Sequence, residues 1–306
     1  MSQNTVLEVR HLTKQFNKNK AVNNISFSIR EGEILGILGP NGAGKTSTIQ
    51  MLLSVLTPTS GSIFYFGKDL NTHREEILSQ VNFSSTYVSL PWRMTVRENL
   101  NVYAYIYNIK DKKGRIEKLT RIFEIEEMLN KETGSLSAGQ NTRLMLVKAF
   151  LNYPKILLMD EPTSSLDPDI AKKVREFLKM EQRNFDVSIL LTSHNMPEVE
   201  ELCDRVLFLN KGKIIAEDTP GGLAGRLKYS HVELFVTDGL KRLTKYCQEK
   251  NLVLKEDKRT VLITLKEDDI TELLFFLSQE GIIYKEISIQ KPELEDFFME
   301  VVGSKP

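Results

Sequence analysis

The run Gly39-Pro40-Asn41-Gly42-Ala43-Gly44-Lys45-Thr46 constrains this chain more than any other feature. It follows the apolar segment Ile34 to Leu38 and precedes a stretch of helical character, which predicts a strand, a glycine-rich turn and a helix in that order. The spacing G-x-x-x-x-G-K-[ST] is that of a phosphate-binding loop: consecutive backbone N–H groups converge on phosphate oxygens, and the helix aims its positive dipole end at them. Lys45 adds a point charge for the β- and γ-phosphates, the Thr46 hydroxyl is placed to ligate Mg²⁺, and Ser47 is read as part of the same binding segment. An ordinary glycine-rich turn would not need this order of neighbours.

A second segment supplies the acidic partner that such a loop needs. Ile156 to Met159 are four apolar residues leading into Asp160-Glu161, as expected of a buried parallel strand whose C-terminal edge opens on the phosphates. Asp160 is expected to hold Mg²⁺ through its water shell, and Glu161 to polarise the attacking water as general base. Further short apolar runs at Ser188 to Leu191 and Val206 to Leu209 alternate with helical periodicity, such as Asp169 to Lys179. That alternation predicts an α/β fold with a mostly parallel sheet covered by helices. Val6 to Val9 and Ile25 to Ile29 are read as two short strands ahead of the loop, and Lys211-Gly212-Lys213 as a hairpin turn into Ile214 to Ala216.

With 306 residues, the chain is long enough for a main domain and a smaller one. Pro220 to Gly225 reads as a linker or the start of a connecting helix, and the boundary is placed so that residues 1–228 form the nucleotide-binding domain and 229–306 an accessory domain. Beyond Tyr229 the pattern restarts as strand, helix, strand, strand, helix, strand, the order of a ferredoxin-like α+β fold, with Pro292 opening a last short helix.

Charge and composition narrow the partners. Lys+Arg and Asp+Glu both number 41, so no overall basic field points to nucleic acid. The N-terminal residues lack the apolar core of a signal peptide, and no run approaches the roughly 18 to 20 apolar residues of a membrane helix. The expectation is a chain neither exported nor inserted in a membrane. Cys203 and Cys247 have no metal-ligand spacing and read as small buried hydrophobes.

Leu136-Ser137-Ala138-Gly139-Gln140 is what separates the chain from a generic phosphate-loop enzyme, because it resembles the LSGGQ signature of ABC ATPases. It stands shortly before the Asp160-Glu161 strand, as in that family, and departs from it only by Ala138 in place of glycine. Ser137 can cap the following helix, whose N-terminus faces a phosphate. In the family, that phosphate belongs to ATP held by the opposite subunit. Ser164-Ser165-Leu166-Asp167 resembles the D-loop that crosses the dimer interface, with Asp167 at its end, and Thr192-Ser193-His194 resembles the H-loop whose histidine contacts the γ-phosphate and attacking water. Phe16 precedes Lys45 at the spacing of the family's adenine-stacking aromatic. Thr95-Val96-Arg97-Glu98-Asn99-Leu100 resembles the family's TVxENL helix start, whereas the usual Q-loop glutamine is missing and Thr86 stands at or beside its position.

The resemblance covers roughly Leu7 to Arg226 and implies an ATP- and Mg²⁺-dependent ABC-type ATPase domain with an antiparallel β portion and a helical subdomain. It implies a homodimer, or pairing with a similar ATPase subunit, around two ATP molecules, and a separate transmembrane permease. Its expected place is peripheral, on the cytoplasmic face of the inner (cell) membrane. The ending Lys291-Pro292-Glu293-Leu294-Glu295-Asp296-Phe297-Phe298 is similar to the PSLEDxF tail of ABC-2 type exporters of drugs, lipids or polysaccharides. The alternative is a soluble ABC ATPase acting in a non-transport assembly or a translation-related role. The translation type resembles tandem ATPase pairs with basic linkers, which this sequence lacks.

Overall fold

The computed structural model describes residues 4–85 and 90–303, and the chain divides into two compact units, Met1–Pro220 and Gly221–Pro306. The division falls at the start of the Pro220 to Gly225 segment, ahead of the 228/229 boundary expected from sequence. Thr86, the position assigned to the missing glutamine, lies outside the described residues.

In the first unit, β1 (Thr5–Phe16), β2 (Asn19–Arg30), β4 (Ser60–Tyr65) and β5 (Lys68–Asp69) form an antiparallel sheet in the order β2-β1-β4-β5. A second sheet, in the order β10-β9-β3-β8-β7-β6, contains β3 (Ile34–Leu38), β6 (Val81–Ser85), β7 (Ile156–Asp160), β8 (Ser188–Thr192), β9 (Arg205–Asn210) and β10 (Lys213–Asp218). Its strands are parallel except β10, which turns back on β9. Every residue of β3, β7 and β8 is buried, the consequence of covering a parallel sheet on both faces.

The hairpin of β1 and β2 is longer than the two short runs expected. Each strand has 12 residues, but one face is largely solvated and the register shifts four times, so alternation alone marks only the buried stretches. The inner residues Leu7, Val9, Val22, Ile25 and Ile29 join a hydrophobic cluster with Ile49, Met51 and Leu52 of α1 (Lys45–Leu52). β4 carries little strand signal in sequence, since Ser60-Gly61-Ser62 has weak strand character and acquires it by pairing with β1.

A short α2 (Arg74–Leu78) precedes a helical part in which α3 (Val96–Ile106), α4 (Lys112–Ile122) and α5 (Ala138–Phe150) pack on one another. Thr95 opens α3 through a capping box: its hydroxyl accepts the Glu98 N–H at 3.2 Å, while Glu98 accepts the Thr95 N–H at 2.8 Å. The remaining helices are α6 (Pro168–Phe185), α7 (Met196–Leu202) and the short α8 (Pro220–Ala224), which occupies the expected connecting segment.

The second unit runs β11 (Ser230–Asp238), α9 (Leu240–Glu249), β12 (Val253–Asp257), β13 (Thr260–Leu265), α10 (Ile270–Gln279), β14 (Ile283–Gln290) and α11 (Leu294–Val302). All its strand pairs are antiparallel, in the order β12-β13-β11-β14, the ferredoxin-like arrangement. Val232, Leu234 and Val236 of β11 form its core with Leu243, Cys247, Leu273 and Leu277 of the two helices. Cys203 and Cys247 are both buried free thiols, and burial raises the proton affinity of each.

Candidate nucleotide site

The turn between β3 and α1 is built where neighbouring backbone leaves no room for side chains. A Cβ on Gly39 would lie 2.1 Å from the carbonyl oxygen of Leu209, and one on Gly44 would lie 2.4 Å from that of Ala21. Both residues also have positive φ, 149° and 107°, which glycine adopts without penalty. Gly44 caps α1 with no side-chain hydrogen bond, so the first N–H groups of the helix stay available to an anion. The Lys45 ammonium folds onto the loop, donating to the Gly39 carbonyl at 2.6 Å and to that of Pro40 at 3.3 Å.

Asn41 to Ser47 line a cavity of about 610 Å³ together with Asp160, Glu161 and His194. The parallel sheet brings them there, because β7 and β8 lie side by side and both end at this edge, with Asp160 opposite Thr192. The Thr192 hydroxyl donates to Asp160 Oδ1 at 2.6 Å, and the Glu161 N–H bonds the Thr192 carbonyl at 3.1 Å. Glu161 has φ 54°, a left-handed conformation that costs a non-glycine residue energy and is often kept where it aims a functional side chain.

Electrostatics single out the same residues. Burial first, and then the charge of Asp160, push the Glu161 carboxyl up to about 7, against the hydrogen bond from His194 and the charge of Lys45. Glu161 Oε2 accepts the His194 backbone N–H at 3.3 Å. Its Oε1 is 3.1 Å from His194 Nε2 but off the direction a hydrogen bond needs, so this buried oxygen has no hydrogen-bond donor among the described residues. Burial, with help from Lys45, lowers the proton affinity of His194, and burial lowers that of Lys45 against the pull of Glu161 and Asp160. The arrangement sets a cation and a helix N-terminus for phosphates beside a carboxyl whose proton affinity suits general base work near neutral pH.

No group of three or more His, Cys, Asp or Glu able to hold a metal occurs among the described residues. Mg²⁺ binds through one or two protein oxygens plus substrate phosphates and water, and the cavity lining offers such oxygens. Thr46 and Asp160, both lining the cavity, are the residues that would hold it, and the ion would supply neutralisation of phosphate charge.

Other residues read from sequence stand elsewhere. Ser137 caps α5 with its hydroxyl, accepting the Gln140 N–H at 3.3 Å, and Gln140 returns the bond at 3.1 Å. Ser137 and Ala138 are exposed and do not line the cavity. The departure from the family pattern is therefore mild: Ala138 has room, whereas a methyl on Gly139 would lie 3.0 Å from the Ser165 carbonyl oxygen. Asp167 is exposed at the start of α6. Phe16 is 47% exposed, with the Lys14 ammonium 5.1 Å from its ring centroid, and pairs across the hairpin with Asn19, which does line the cavity.

Sequence reasoning missed Asn19, Lys20, Ala21 and Lys211. Lysines in polar turns carry no local signal of a site. Lys211 arrives in the turn of the β9–β10 hairpin, which docks on the phosphate loop through the Gly212 N–H on the Ala43 carbonyl at 3.0 Å. Asn19 to Ala21 arrive at the start of β2, which meets both that turn, with the Asn23 N–H on the Gly212 carbonyl at 2.8 Å, and the loop, with the Ala21 carbonyl against Gly44.

A phosphate loop on a parallel sheet, an acidic strand edge and a capped signature helix define an ATP-binding cassette, and comparison with known proteins agrees. Residues 22–164 match the ABC transporter family model. The chain is 31% identical over 310 residues to the bacitracin transport ATP-binding protein of Bacillus licheniformis, covering 98% of each. It is 35% identical over 219 residues to the Nod factor export ATP-binding protein I of Burkholderia orbicola, covering 71% of this chain and 72% of that one. Among solved structures, an ATP-binding subunit of an ABC transporter superposes with a TM-score of 0.66 at 28% identity, over 72% of this chain and 92% of the other. A dimeric cassette in a post-hydrolysis state bound to ADP and Pi shares the fold, with a TM-score of 0.63 at 22% identity over 70% and 98%. The chain belongs to the ABC transporter ATP-binding proteins and is an ATP hydrolase.

Proposed function

We propose that this protein is the ATPase subunit of an exporter, dimerising around two ATP molecules to drive a separate membrane-spanning partner. The observation that carries the dimer is the split of the site: the phosphate loop, Asp160, Glu161 and His194 share one cavity, while the N-terminus of α5 at Ser137 to Gln140, with Ser137 and Ala138 exposed, lies outside its lining. A second copy completes the site by presenting its α5 terminus to the γ-phosphate, with Asp167 of each copy near the crossing. Glu161 is the general base, His194 contacts the γ-phosphate and attacking water, Thr46 and Asp160 hold Mg²⁺, and Phe16 stacks on adenine. Closing and reopening of the dimer as ATP is bound and hydrolysed transmits force to the partner.

No helix among the described residues is long and apolar enough to cross a membrane. The spanning part is assigned to another chain, and this one to the cytoplasmic face of the membrane, on the likeness to transport ATP-binding proteins. Export as the direction, with a drug, lipid or polysaccharide as cargo, is supported by the names of the bacitracin and Nod factor relatives and by the tail around Pro292 to Phe298. Residues 229–306 are assigned an accessory role, because every residue lining the nucleotide cavity precedes them. The test mixes a Lys45→Ala chain with a Ser137→Arg chain. Such heterodimers retain one intact composite site and recover part of the hydrolysis that each variant alone lacks; heterodimers that form and stay inactive would exclude the composite site.

A further inference from the structure

One buried carboxylate lies close to the catalytic groups without facing the cavity. Glu198, in the first turn of α7, is 2% exposed, and both of its oxygens are engaged. Oε1 accepts from the Thr163 hydroxyl at 2.6 Å, and Oε2 accepts from the Ser193 hydroxyl at 2.7 Å. No lysine, arginine or histidine forms an ion pair with it among the described residues. The local frame is tight: the Ser193 hydroxyl oxygen accepts the Asn195 N–H at 3.1 Å, and Asn195 Oδ1 accepts the Glu198 N–H at 3.2 Å.

The placement of those two hydroxyls gives the group its meaning. β7 and β8 are cross-linked up to Asp160 and Thr192, and the Glu161 N–H on the Thr192 carbonyl follows. Beyond that point, the two segments lead to different elements, one to α6 and the other to α7. Thr163 is two residues after Glu161, and Ser193 is one before His194. Glu198 therefore grips both segments within two residues of Glu161 and His194, which line the cavity. Desolvating a carboxylate is unfavourable, and two short bonds from neutral hydroxyls offset that only in part, so an apolar side chain would serve cohesion at least as well. What the carboxylate adds is a distance, because two charge-assisted bonds fix two donors relative to each other.

The geometry points to Glu198 as a positioning residue that sets Glu161 against His194 by holding Thr163 and Ser193 on its two carboxylate oxygens. The inference rests on the assignment of Glu161 and His194 to the chemistry. It gives Glu198 no contact with nucleotide, so its loss acts on turnover and not on binding.

Steady-state ATP hydrolysis by the full chain with Mg²⁺, measured beside nucleotide affinity and thermal melting, tests it. Glu198→Ala is expected to lower kcat by about tenfold to a hundredfold with KM for ATP and ADP affinity within about twofold, since small misplacements of reacting groups cost rates of that order. Glu198→Gln restores kcat to within about threefold, because an amide oxygen can accept from one hydroxyl and its N–H₂ can donate to the other. Thr163→Val combined with Ser193→Ala reproduces the loss, and adding Glu198→Ala to that pair lowers kcat by less than it does alone. Should Glu198→Ala fail to fold, Thr163→Val and Ser193→Ala singly carry the same kcat-against-KM comparison. Unchanged kcat in folded Glu198→Ala, a rise in KM with kcat intact, or no recovery in a Glu198→Gln chain that melts like the parent each overturn the role. Glu161→Gln is run alongside: retained turnover there would remove the assignment of Glu161 itself, whereas loss of turnover there with normal turnover in Glu198→Ala would refute positioning alone.

Discussion

Replacing Glu161 by Gln is expected to do two opposite things, and the structure sets the size of each. The amide oxygen can still accept the His194 N–H that Oε2 now takes at 3.3 Å, so local geometry survives. The base does not, and general base catalysis contributes about 10²- to 10⁴-fold to rate, so hydrolysis should fall by that order while ATP still binds. Stability should move the other way. Burial and the neighbouring Asp160 push the carboxyl from its ordinary 4.5 up to about 7. A folded-state value above the unfolded one means that folding favours the protonated acid, so this group's contribution is most favourable below pH 4.5 and is lost as pH rises through about 7. At about 1.4 kcal/mol per pKa unit, the ceiling is about 3 kcal/mol. Because the carboxyl lines an open cavity, screening reduces that to about 1 to 2 kcal/mol. For a unit of this size, that is about 2 to 8 °C in Tm. Melting of the nucleotide-free full chain in a chelating buffer at pH 8 should therefore place Glu161→Gln above the parent, with the gap closing toward pH 5. A gap of the same size at every pH, or a variant that melts below the parent at pH 8, would refute the electrostatic account.

Gly39→Ala should abolish nucleotide binding and lower Tm, since the methyl would meet the Leu209 carbonyl oxygen at 2.1 Å and the backbone costs about 1 to 3 kcal/mol more; titration with a fluorescent ATP analogue and a melt read both effects. A chain ended near Lys228 should melt cooperatively and bind ATP like the full chain, because the cavity and both of its sheets lie before Pro220; a folded truncation without ATP binding would contradict this.

How much of the molecule is legible in sequence depends on whether the signal is contiguous. The phosphate loop, the strand into Asp160-Glu161 and the capping pair Ser137/Gln140 are each written in a few adjacent residues, because turn geometry, strand burial and helix capping are local. The alternation of apolar strands and periodic helices likewise carried the α/β class, and the restart after Tyr229 carried the order of the second unit's elements. The 12-residue β1 and β2 extend well beyond their apolar runs because solvated faces and register shifts break their period. The tertiary structure alone decided which distant residues meet. Lys211 reaches the cavity in the turn of a hairpin docked on the phosphate loop and Lys20 at the start of β2, Thr192 meets Asp160 through the β7–β8 register, and Glu198 bridges Thr163 and Ser193 from a third element. Such meetings are set by strand order and side-chain direction across the whole sheet. A polar turn lysine or a helix glutamate looks the same in sequence whether it faces water, a phosphate or two buried hydroxyls.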